Sequence, residues 1–320
     1  MYVKDGEELI RKLDEFSPQP SDYFKHGANR IAASINMLPK GSGRVLELGC
    51  DGHFSLAVAE LTSYEVVPQN SPNPIAGPED AANLTQTYTH QGGREVQFKR
   101  ELFDIEKGRF PLESNTFDGV LCCEVIEHLF RDPALMLQEA HRVLKPGGWL
   151  LVTTPNLISY HTIRRAMQGV HPLECSNYFH GEQFPGYMIQ HTHEYTCWEL
   201  NELIRVCGFS TERIETYTFT KYEKLGFLDY ALVIPATLLY SMATLRHPRF
   251  WHPKYRRPHT FILARKTGTP SERYPKIPTS RTEKFWRARP VRGDKGSVAE
   301  WCGAAARSAA QGSPSLILPE

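Results

Sequence analysis

The hydrophobic pattern is clearest between Phe117 and Asn156, where two apolar runs flank an amphipathic stretch. The runs FDGVLCC and WLLVTT have the length and composition of buried β-strands, and the segment between them repeats apolar residues at a helical period. Strand, helix and strand in this order predict a right-handed βαβ unit, whose ligand face lies at the carboxyl ends of the strands. Glu124, Glu127 and His128 follow the first strand and are expected on that face.

The same two periodicities predict further elements on both sides of this unit. Short apolar runs that alternate with amphipathic helices are typical of an α/β fold with a doubly wound, mostly parallel sheet. An unusually long connection rich in Pro, Asn and Gly is expected over residues 68–93. The predicted helices cover residues 21–38 and 54–61, and the predicted strands cover 44–49, 65–67, 95–102, 213–219 and 261–266.

The regular pattern predicts one domain over residues 21–266, preceded by a helix within residues 1–20. Two segments of this domain are predicted insertions on the acceptor side, by which we mean the part of the ligand face where a substrate would bind. Residues 169–195 are irregular and rich in histidine and aromatic residues, and residues 221–260 are far longer than a hairpin needs. The segment 267–320 is rich in Pro, Ser, Arg and Ala and has no apolar face, which predicts a mostly disordered basic tail.

Composition and charge narrow the class of protein. The chain has 320 residues with 41% hydrophobic content, enough to bury a full core. Its formal net charge of +1 gives no strong single-sign field that would attract nucleic acid or a membrane. Of the seven cysteines, Cys122 and Cys123 fall in an apolar strand and Cys207 in a predicted helix, where a thiol behaves as a small hydrophobe, which favours a reducing compartment. Because the charged N-terminus lacks a signal-peptide core and no apolar run reaches bilayer length, the expected location is cytoplasmic.

A glycine-rich turn, Gly49-Cys50-Asp51-Gly52, follows the first predicted strand of the domain and leads into a helix. Glycines let backbone N–H groups approach a ligand closely, and a helix N-terminus favours a negatively charged group such as a carboxylate. The turn is therefore a candidate binding site for a ligand that carries a carboxylate.

The run Val45 to Phe54 (VLELGCDGHF), taken with Phe117 to Asn156, resembles the class I S-adenosylmethionine-dependent methyltransferases, in the group that acts on small molecules and glycans. The resemblance covers residues 21–266. It implies a Rossmann-like seven-stranded sheet with one antiparallel edge strand, and S-adenosyl-L-methionine as cofactor. A nicotinamide dehydrogenase is disfavoured because the chain lacks the Gly-x-Gly-x-x-Gly motif at this turn.

The resemblance also implies which residues contact the cofactor. Its methionine end would rest on the glycine turn, which is one residue shorter than the usual Gly-x-Gly-x-Gly, and Asp104 would contact the adenine. The second strand is followed by Asn70 where an acid usually holds the ribose; an amide can donate and accept, although a plain turn residue explains Asn70 equally well. The candidate cofactor-binding residues are Glu47, Gly49, Asp51, Gly52, Asn70, Asp104 and Glu124.

Two histidines are candidates for the acceptor side. Methyl transfer to a hydroxyl needs a base, and histidine titrates near neutral pH. His128 is predicted at the start of the helix after the fourth strand. His191 lies shortly before a helix that the capping-box spacing of Thr196 and Glu199 starts, and which should end at Gly208. Both are candidate catalytic residues, and for His128 a purely structural role at the helix start is equally compatible.

A divalent-metal site is an alternative use of the same residues. Glu124, Glu127, His128 and His191 resemble the metal site of the small-RNA 3′-terminal 2′-O-methyltransferases. Two carboxylates and two imidazoles suit Mg²⁺ or Mn²⁺. The primary prediction includes no metal.

The insertion contains an apolar stretch, 229–245, followed by a basic one, 246–259. Three interpretations remain open: a helix packed on the sheet edge with a solvated basic loop, peripheral contact with a membrane through residues 229–257, or stacking on single-stranded RNA. The first is favoured because apolar helices in globular proteins are usually core elements.

The sequence thus predicts a methyltransferase that modifies oxygen on a small molecule or on a glycan or lipid-linked intermediate. The rivals are a metal-dependent RNA 2′-O-methyltransferase and a catalytically inactive binding module on the same fold.

Overall fold

The structure is a computed structural model that describes residues 2–50, 52–72, 84–171, 191–220, 224, 226–244 and 253–270. The helices are α1 (Gly6–Leu13), α2 (Asp22–Met37), α3 (His53–Leu61), α4 (Pro133–Val143), α5 (Tyr160–Met167), α6 (Cys197–Val206) and α7 (Ile234–Thr244), with short 3₁₀ turns at Ile126–His128 and Pro253–Tyr255 and a π-helical turn at Asp229–Val233. The strands are β1 (Phe16–Ser17), β2 (Ser42–Leu48), β3 (Ser63–Asn70), β4 (Thr85–His90), β5 (Glu95–Lys99), β6 (Glu101–Leu102), β7 (Phe117–Cys123), β8 (Leu144–Pro155), β9 (Phe209–Tyr217) and β10 (His259–Lys266).

The main sheet has seven strands in the order β6-β3-β2-β7-β8-β10-β9, which confirms the predicted doubly wound α/β fold. Every described pairing between β6 and β8 is parallel, whereas β10 runs antiparallel to both β8 and β9. The antiparallel strand belongs to the edge pair, with β9 outermost. The carboxyl ends of β2, β3, β7 and β8 therefore meet at one end of the sheet.

The predicted third strand, 95–102, is divided between two sheets. Residues 95–99 form β5, which pairs with β4 in a separate three-stranded antiparallel sheet, and only β6 joins β3 in the main sheet. The connection predicted over 68–93 thus contains strand β4, and β3 extends through Asn70. Alternating apolar and polar residues identify a strand but do not say which sheet it joins, because the period is the same in both.

Two apolar layers cover the two faces of the main sheet. On one face α4 and α6 bury residues such as Leu137 and Ile204, and on the other α1, α2 and α3 bury residues such as Phe24 and Leu56. Helix α1 joins the second layer directly, since its Leu9 is fully buried there. Helix α1 is therefore packed on the domain, while the boundaries predicted at residues 20 and 266 stay predictions.

Local signals account for the helix ends. Ser21 caps α2 through its side chain, and Thr196 and Glu199 form the predicted capping box at the start of α6. Gly208, which follows α6, adopts a φ of 92°, a conformation that glycine reaches without strain. Within the described residues no helix is long and apolar enough to cross a membrane. The five described cysteines are free thiols, and residues 271–320 of the predicted tail lie outside the described part of the chain.

Candidate active site

Two consecutive threonines on β8 hold the two glutamates that follow β7. Thr153 donates to Glu124 over 2.8 Å, and Thr154 donates to Glu127 over 2.9 Å. Neighbouring residues of a strand point to opposite faces of the sheet. The two carboxylates are therefore separated, with Glu124 on the side of α2 and Glu127 on the side of α6.

A cleft opens on the α2 side at the carboxyl ends of β2 and β7. Its walls include Arg30 from α2, Glu47 and Gly49 from the end of β2, Phe54 from α3, and Glu124. Glu47 is almost fully buried and accepts a short hydrogen bond from Ser55, which holds its carboxylate against the start of α3. Two predicted cofactor-binding carboxylates thus line one cleft beside the glycine turn.

Gly49 is required at this turn for two physical reasons. Its φ of 66° lies in the left-handed region, and a Cβ placed there would come within 2.7 Å of Val125 Cγ2. The backbone amides of Gly49 and Cys50 both donate to Gln69, to its side-chain oxygen and its carbonyl oxygen respectively. Because these two N–H groups are already engaged, a carboxylate in the cleft needs another cationic or hydrogen-bonding partner.

Arg30 is the cation in the cleft. Its Nη1 lies 2.6 Å from Glu124 Oε2, and the guanidinium is largely buried. Burial opposes ionisation of both groups, but the mutual attraction raises the pKa of Arg30 and lowers the pKa of Glu124 relative to their ordinary values. Glu124 itself has a φ of 54°, which is uncommon for a residue other than glycine and marks a constrained site. The Arg30–Glu124 pair therefore fixes one positive and one negative charge in the cleft, in addition to the Glu47 carboxylate that Ser55 holds.

The side chains of His53 and Phe54, which follow the turn, leave the cleft open. His53 turns away from it, with its ring between those of Phe24 and Tyr88 and its Nε2 3.2 Å from Pro18 O. Phe54 forms part of the cleft wall. Gly52 lies where a Cβ would approach the hydroxyl of Tyr88 within 2.6 Å, and the candidate Asp51 lies outside the described residues.

Asn70 and Asp104 occupy the same end of the sheet. Asn70 ends β3 and its amide lies 3.4 Å from Cys50 O, so it borders the glycine turn. Asp104, two residues after β6, accepts from the Glu106 amide over 2.8 Å and pairs with Lys107 at 3.2 Å. Asp104 thus caps a loop, and its contact with an adenine stays a prediction.

The second side of the site is built around Glu127 and His191. The backbone carbonyl of Glu127 accepts from both the amide and the hydroxyl of Thr192, each over 2.8 Å, which ties the segment before α6 to the 3₁₀ turn. This tie places the rings of His128 and His191 with centroids 4.9 Å apart. His128 ends that 3₁₀ turn instead of starting a helix, which begins only at Pro133. The two predicted catalytic histidines are thus brought together.

His191 is oriented by a buried carboxylate. Its Nδ1 lies 2.8 Å from Glu194 Oε1, and Glu194 is only 5% exposed. A carboxylate at Nδ1 fixes the imidazole ring and favours the tautomer with its proton on Nδ1. The other nitrogen, Nε2, is then suited to accept a proton.

The Glu127 carboxyl is buried, and its hydrogen bonds offset the cost of that burial only in part. Burial, reinforced by the nearby charge of Glu124, raises the pKa of Glu127 well above its usual value. Its Oε2 accepts from Thr154, while Oε1 has no hydrogen-bond partner among the described residues. Ligand atoms of Glu127, His128 and His191 lie within 4.8 Å of one another, a spacing compatible with one metal ion. The fourth residue of the metal hypothesis, Glu124, is instead bound to Arg30 and Thr153.

Sequence reasoning missed three residues of this site. Arg30 lies on a helix nineteen positions before Gly49, and only tertiary packing brings it to the cleft. Gln69 directly precedes the candidate Asn70, but its buried role in holding the turn depends on side-chain direction. Glu194 lies close to His191 in the chain, yet an acid at this spacing could equally bind the backbone or an arginine, and only the structure pairs it with His191.

The comparison with protein families decides the class of enzyme. A family model described as a methyltransferase domain matches residues 11–210, which is more than half of the chain. This protein belongs to the class I S-adenosylmethionine-dependent methyltransferases. Its methyl donor is accordingly S-adenosyl-L-methionine. The rival of a non-enzymatic module is not supported by this assignment.

Similar proteins are known from several bacteria. A ubiquinone biosynthesis O-methyltransferase of Thiobacillus denitrificans is 26% identical over 248 residues, covering 74% of this chain and 96% of that protein. A probable S-adenosylmethionine-dependent methyltransferase of Mycolicibacterium smegmatis is 38% identical over 112 residues, which are 34% of this chain and 36% of that one. The crystal structure of an S-adenosylmethionine-dependent methyltransferase from Mesorhizobium loti aligns with a TM-score of 0.45 at 18% identity, covering 75% of this chain and 97% of that one.

Proposed function

We propose that this methyltransferase transfers the methyl group to a hydroxyl oxygen of a small molecule or of a glycan or lipid-linked intermediate, with His191 as general base. The observation that carries the proposal is the buried His191–Glu194 pair next to His128, at the same end of the sheet as the glycine turn. The similarity to a ubiquinone biosynthesis O-methyltransferase supports oxygen as the acceptor atom.

The donor side is proposed to recognise the amino-acid end of S-adenosylmethionine. That end carries a carboxylate and an ammonium group, and the cleft presents Arg30 and Glu124 as their respective counter-charges, 2.6 Å apart in the free protein. Gly49 leaves room at the turn and Glu47 and Gly52 shape the loop. Asn70 is the proposed contact for the ribose and Asp104 the proposed contact for the adenine. The residues of the cleft therefore fit the donor.

When bound, the donor supplies an electrophilic methyl group on sulfur. Transfer is an in-line displacement, so the protein mainly has to align the acceptor oxygen and exclude water. His191 Nε2 accepts the hydroxyl proton, and the Glu194 carboxylate stabilises the imidazolium that results. His128, beside His191, would hold the acceptor hydroxyl or share that proton.

A second candidate function is methyl transfer assisted by a divalent cation. Its support is the close group of Glu127, His128 and His191 and the unbonded Oε1 of Glu127. In that case the metal would bind the acceptor oxygen and lower its pKa, and an RNA 3′ end is one acceptor that would fit. Activity that is abolished by a chelator and restored by Mg²⁺ or Mn²⁺ would favour this candidate; chelator-insensitive activity would favour the general base.

Mass spectrometry tests the proposed reaction. Cell extract incubated with the protein and an isotopically labelled methyl donor should yield a product labelled on oxygen, and the His191→Ala protein should not form it. Label found on nitrogen or carbon would contradict the proposal.

The proposed location remains the cytoplasm.

A further inference from the structure

Exposed apolar side chains cluster on one part of the surface. Of the ten large hydrophobic residues that are exposed among the described residues, five belong to the segment 227–239: Phe227, Leu228, Tyr230, Leu232 and Leu239. Two more, Met167 and Val170, lie at the end of α5 and just after it. Helix α5 contacts the π-helical turn of that segment. We call the exposed side of residues 227–239 the apolar face.

The apolar face is fixed by buried contacts beneath it. Asp229 is 7% exposed, pairs with Arg164 of α5 at 3.0 Å and accepts from the Gly226 amide over 2.8 Å. Val233, one turn further, is also buried. Because Asp229 and Val233 face inward, Leu228, Leu232 and Leu239 point outward at helical spacing. The apolar residues are thus exposed by the orientation of an anchored helix.

The helix also lacks the charged residues that normally face solvent. Residues 230–244, YALVIPATLLYSMAT, contain no charged side chain. A surface helix of a globular protein usually has a charged or polar outer side, and an outer side this apolar marks an interaction site. The stretch is shorter than the roughly 20 apolar residues that a spanning helix needs. It is therefore suited to lie along an apolar partner.

Basic residues accompany the apolar face. Lys224, Lys254 and Arg257 are exposed, and α5 carries Arg164 and Arg165. In the described parts of residues 224–257 and of α5, Asp229 is the only acid, and Arg164 neutralises it. The described residues of the segment 224–257 and of α5 accordingly carry a net positive charge.

We infer that the apolar face docks on a lipid surface that contains anionic headgroups. Aliphatic side chains gain free energy in the acyl region, while the neighbouring lysines and arginines contact the headgroups. A second copy of the chain would bring the same basic residues against themselves across a two-fold axis, which disfavours a symmetric dimer. Single-stranded RNA is disfavoured because three of the five exposed side chains, Leu228, Leu232 and Leu239, are aliphatic and offer no ring on which bases stack.

The segment that follows the apolar face in the chain is attached to the end of the sheet that carries the candidate site. Asn156, directly after β8, donates through its side chain to the carbonyls of Tyr255 and Arg257, and its amide donates to Pro258 O. The basic segment 254–257 is thereby held at the end of the sheet that carries Thr153 and Thr154. Helix α5 begins at the same end, where the Tyr160 amide donates to Arg256 O, and it contacts the π-helical turn. A lipid surface docked on the apolar face would therefore lie near the end of the sheet where the cleft opens.

Co-sedimentation with vesicles tests the inference on the full chain without methyl donor, so its outcome is independent of the proposed reaction. The protein should bind vesicles of phosphatidylcholine mixed with phosphatidylglycerol, and bind less at high salt. Leu232→Glu should weaken binding at least about tenfold, because it removes a leucine that enters the acyl region and adds a charge that anionic headgroups repel. Leu239→Glu should have the same effect.

Phe130→Glu is the matched control, since Phe130 is 74% exposed but belongs to neither α5 nor the apolar face. It should bind vesicles as the wild type does, and circular dichroism should show all three variants folded. Equal binding by Leu232→Glu, Leu239→Glu and wild type would overturn the inference. So would the absence of vesicle binding by the wild type, whether or not it dimerises or binds RNA.

Discussion

Arg30 and Glu124 face each other across the donor cleft, with Nη1 2.6 Å from Oε2, and neither residue lies near the other in the sequence. The pair puts one positive and one negative charge next to the glycine turn, whose first two amides are engaged by Gln69. A zwitterionic amino-acid group is complementary to such a pair.

Replacing Arg30 should weaken donor binding selectively. Arg30→Gln removes a charge-assisted contact, so the Kd for S-adenosylhomocysteine measured by calorimetry should rise about ten- to hundredfold. Arg44→Gln is the control, because Arg44 lies at the opposite end of β2 and pairs with an exposed Glu65 at 3.5 Å. An unchanged Kd in Arg30→Gln would exclude Arg30 from the donor site.

The importance of Gly49 in the turn can be tested by comparing it with Gly93, which also has a positive φ. The left-handed conformation alone costs a residue other than glycine about 1–3 kcal/mol. Gly49→Ala should destabilise the protein by more than this, because its Cβ would also clash with Val125. Gly93 has a φ of 84° but nothing within 4 Å of the position that a Cβ would take, so Gly93→Ala should suffer the strain alone. Thermal unfolding of both variants checks this, and equal losses would show that the contact with Val125 is unimportant.

If His191 is the general base, replacing it should affect turnover but not donor binding. His191→Ala should lower kcat about 10²- to 10⁴-fold and leave the affinity for S-adenosylhomocysteine unchanged, because His191 lies on the acceptor side. Glu194→Gln should lower kcat less, since the base remains. His193→Ala is the control, because its ring packs on Tyr195 instead of His128. A wild-type kcat in the His191→Ala enzyme would exclude His191 as the general base.

The raised pKa of Glu127 predicts a pH dependence of stability. A carboxyl whose pKa is higher in the folded than in the unfolded state binds more protons when folded, so stability is full below the unfolded pKa and falls as pH rises towards the folded pKa. Glu127→Gln should therefore flatten the decline in the free energy of unfolding above about pH 4.5, measured by urea titration at several pH values. A decline identical to that of wild type would mean that Glu127 is ionised in the folded protein.

The regular core of the fold was predictable because its signals are local. Apolar runs marked β2, β7 and β8, and the pair Thr196 and Glu199 marked the start of α6 through a capping box whose two hydrogen bonds both form. The partner of a strand is not a local property, which is why the sequence predicts residues 95–99 in the main sheet although they pair with β4.

The site was predictable to the extent that strand ends define it. Glu47 lies at the end of β2, Gly49, Glu124 and His128 follow strands, and His191 precedes a helix. The sheet topology brings the ends of these strands together. Arg30 comes from α2, where it is a half-buried residue one turn before Ser34, and the sequence contains no signal that assigns it to the cleft. Which histidine nitrogen a carboxylate contacts is likewise set by tertiary packing.

A crystal structure with S-adenosylhomocysteine tests the donor site most directly. The ligand's amino-acid end should lie in the cleft beside Gly49, with its carboxylate on Arg30 and its ammonium group on Glu124. A ligand bound elsewhere, or a cleft filled by the side chain of Phe54 while Arg30 and Glu124 remain paired to each other, would contradict this assignment.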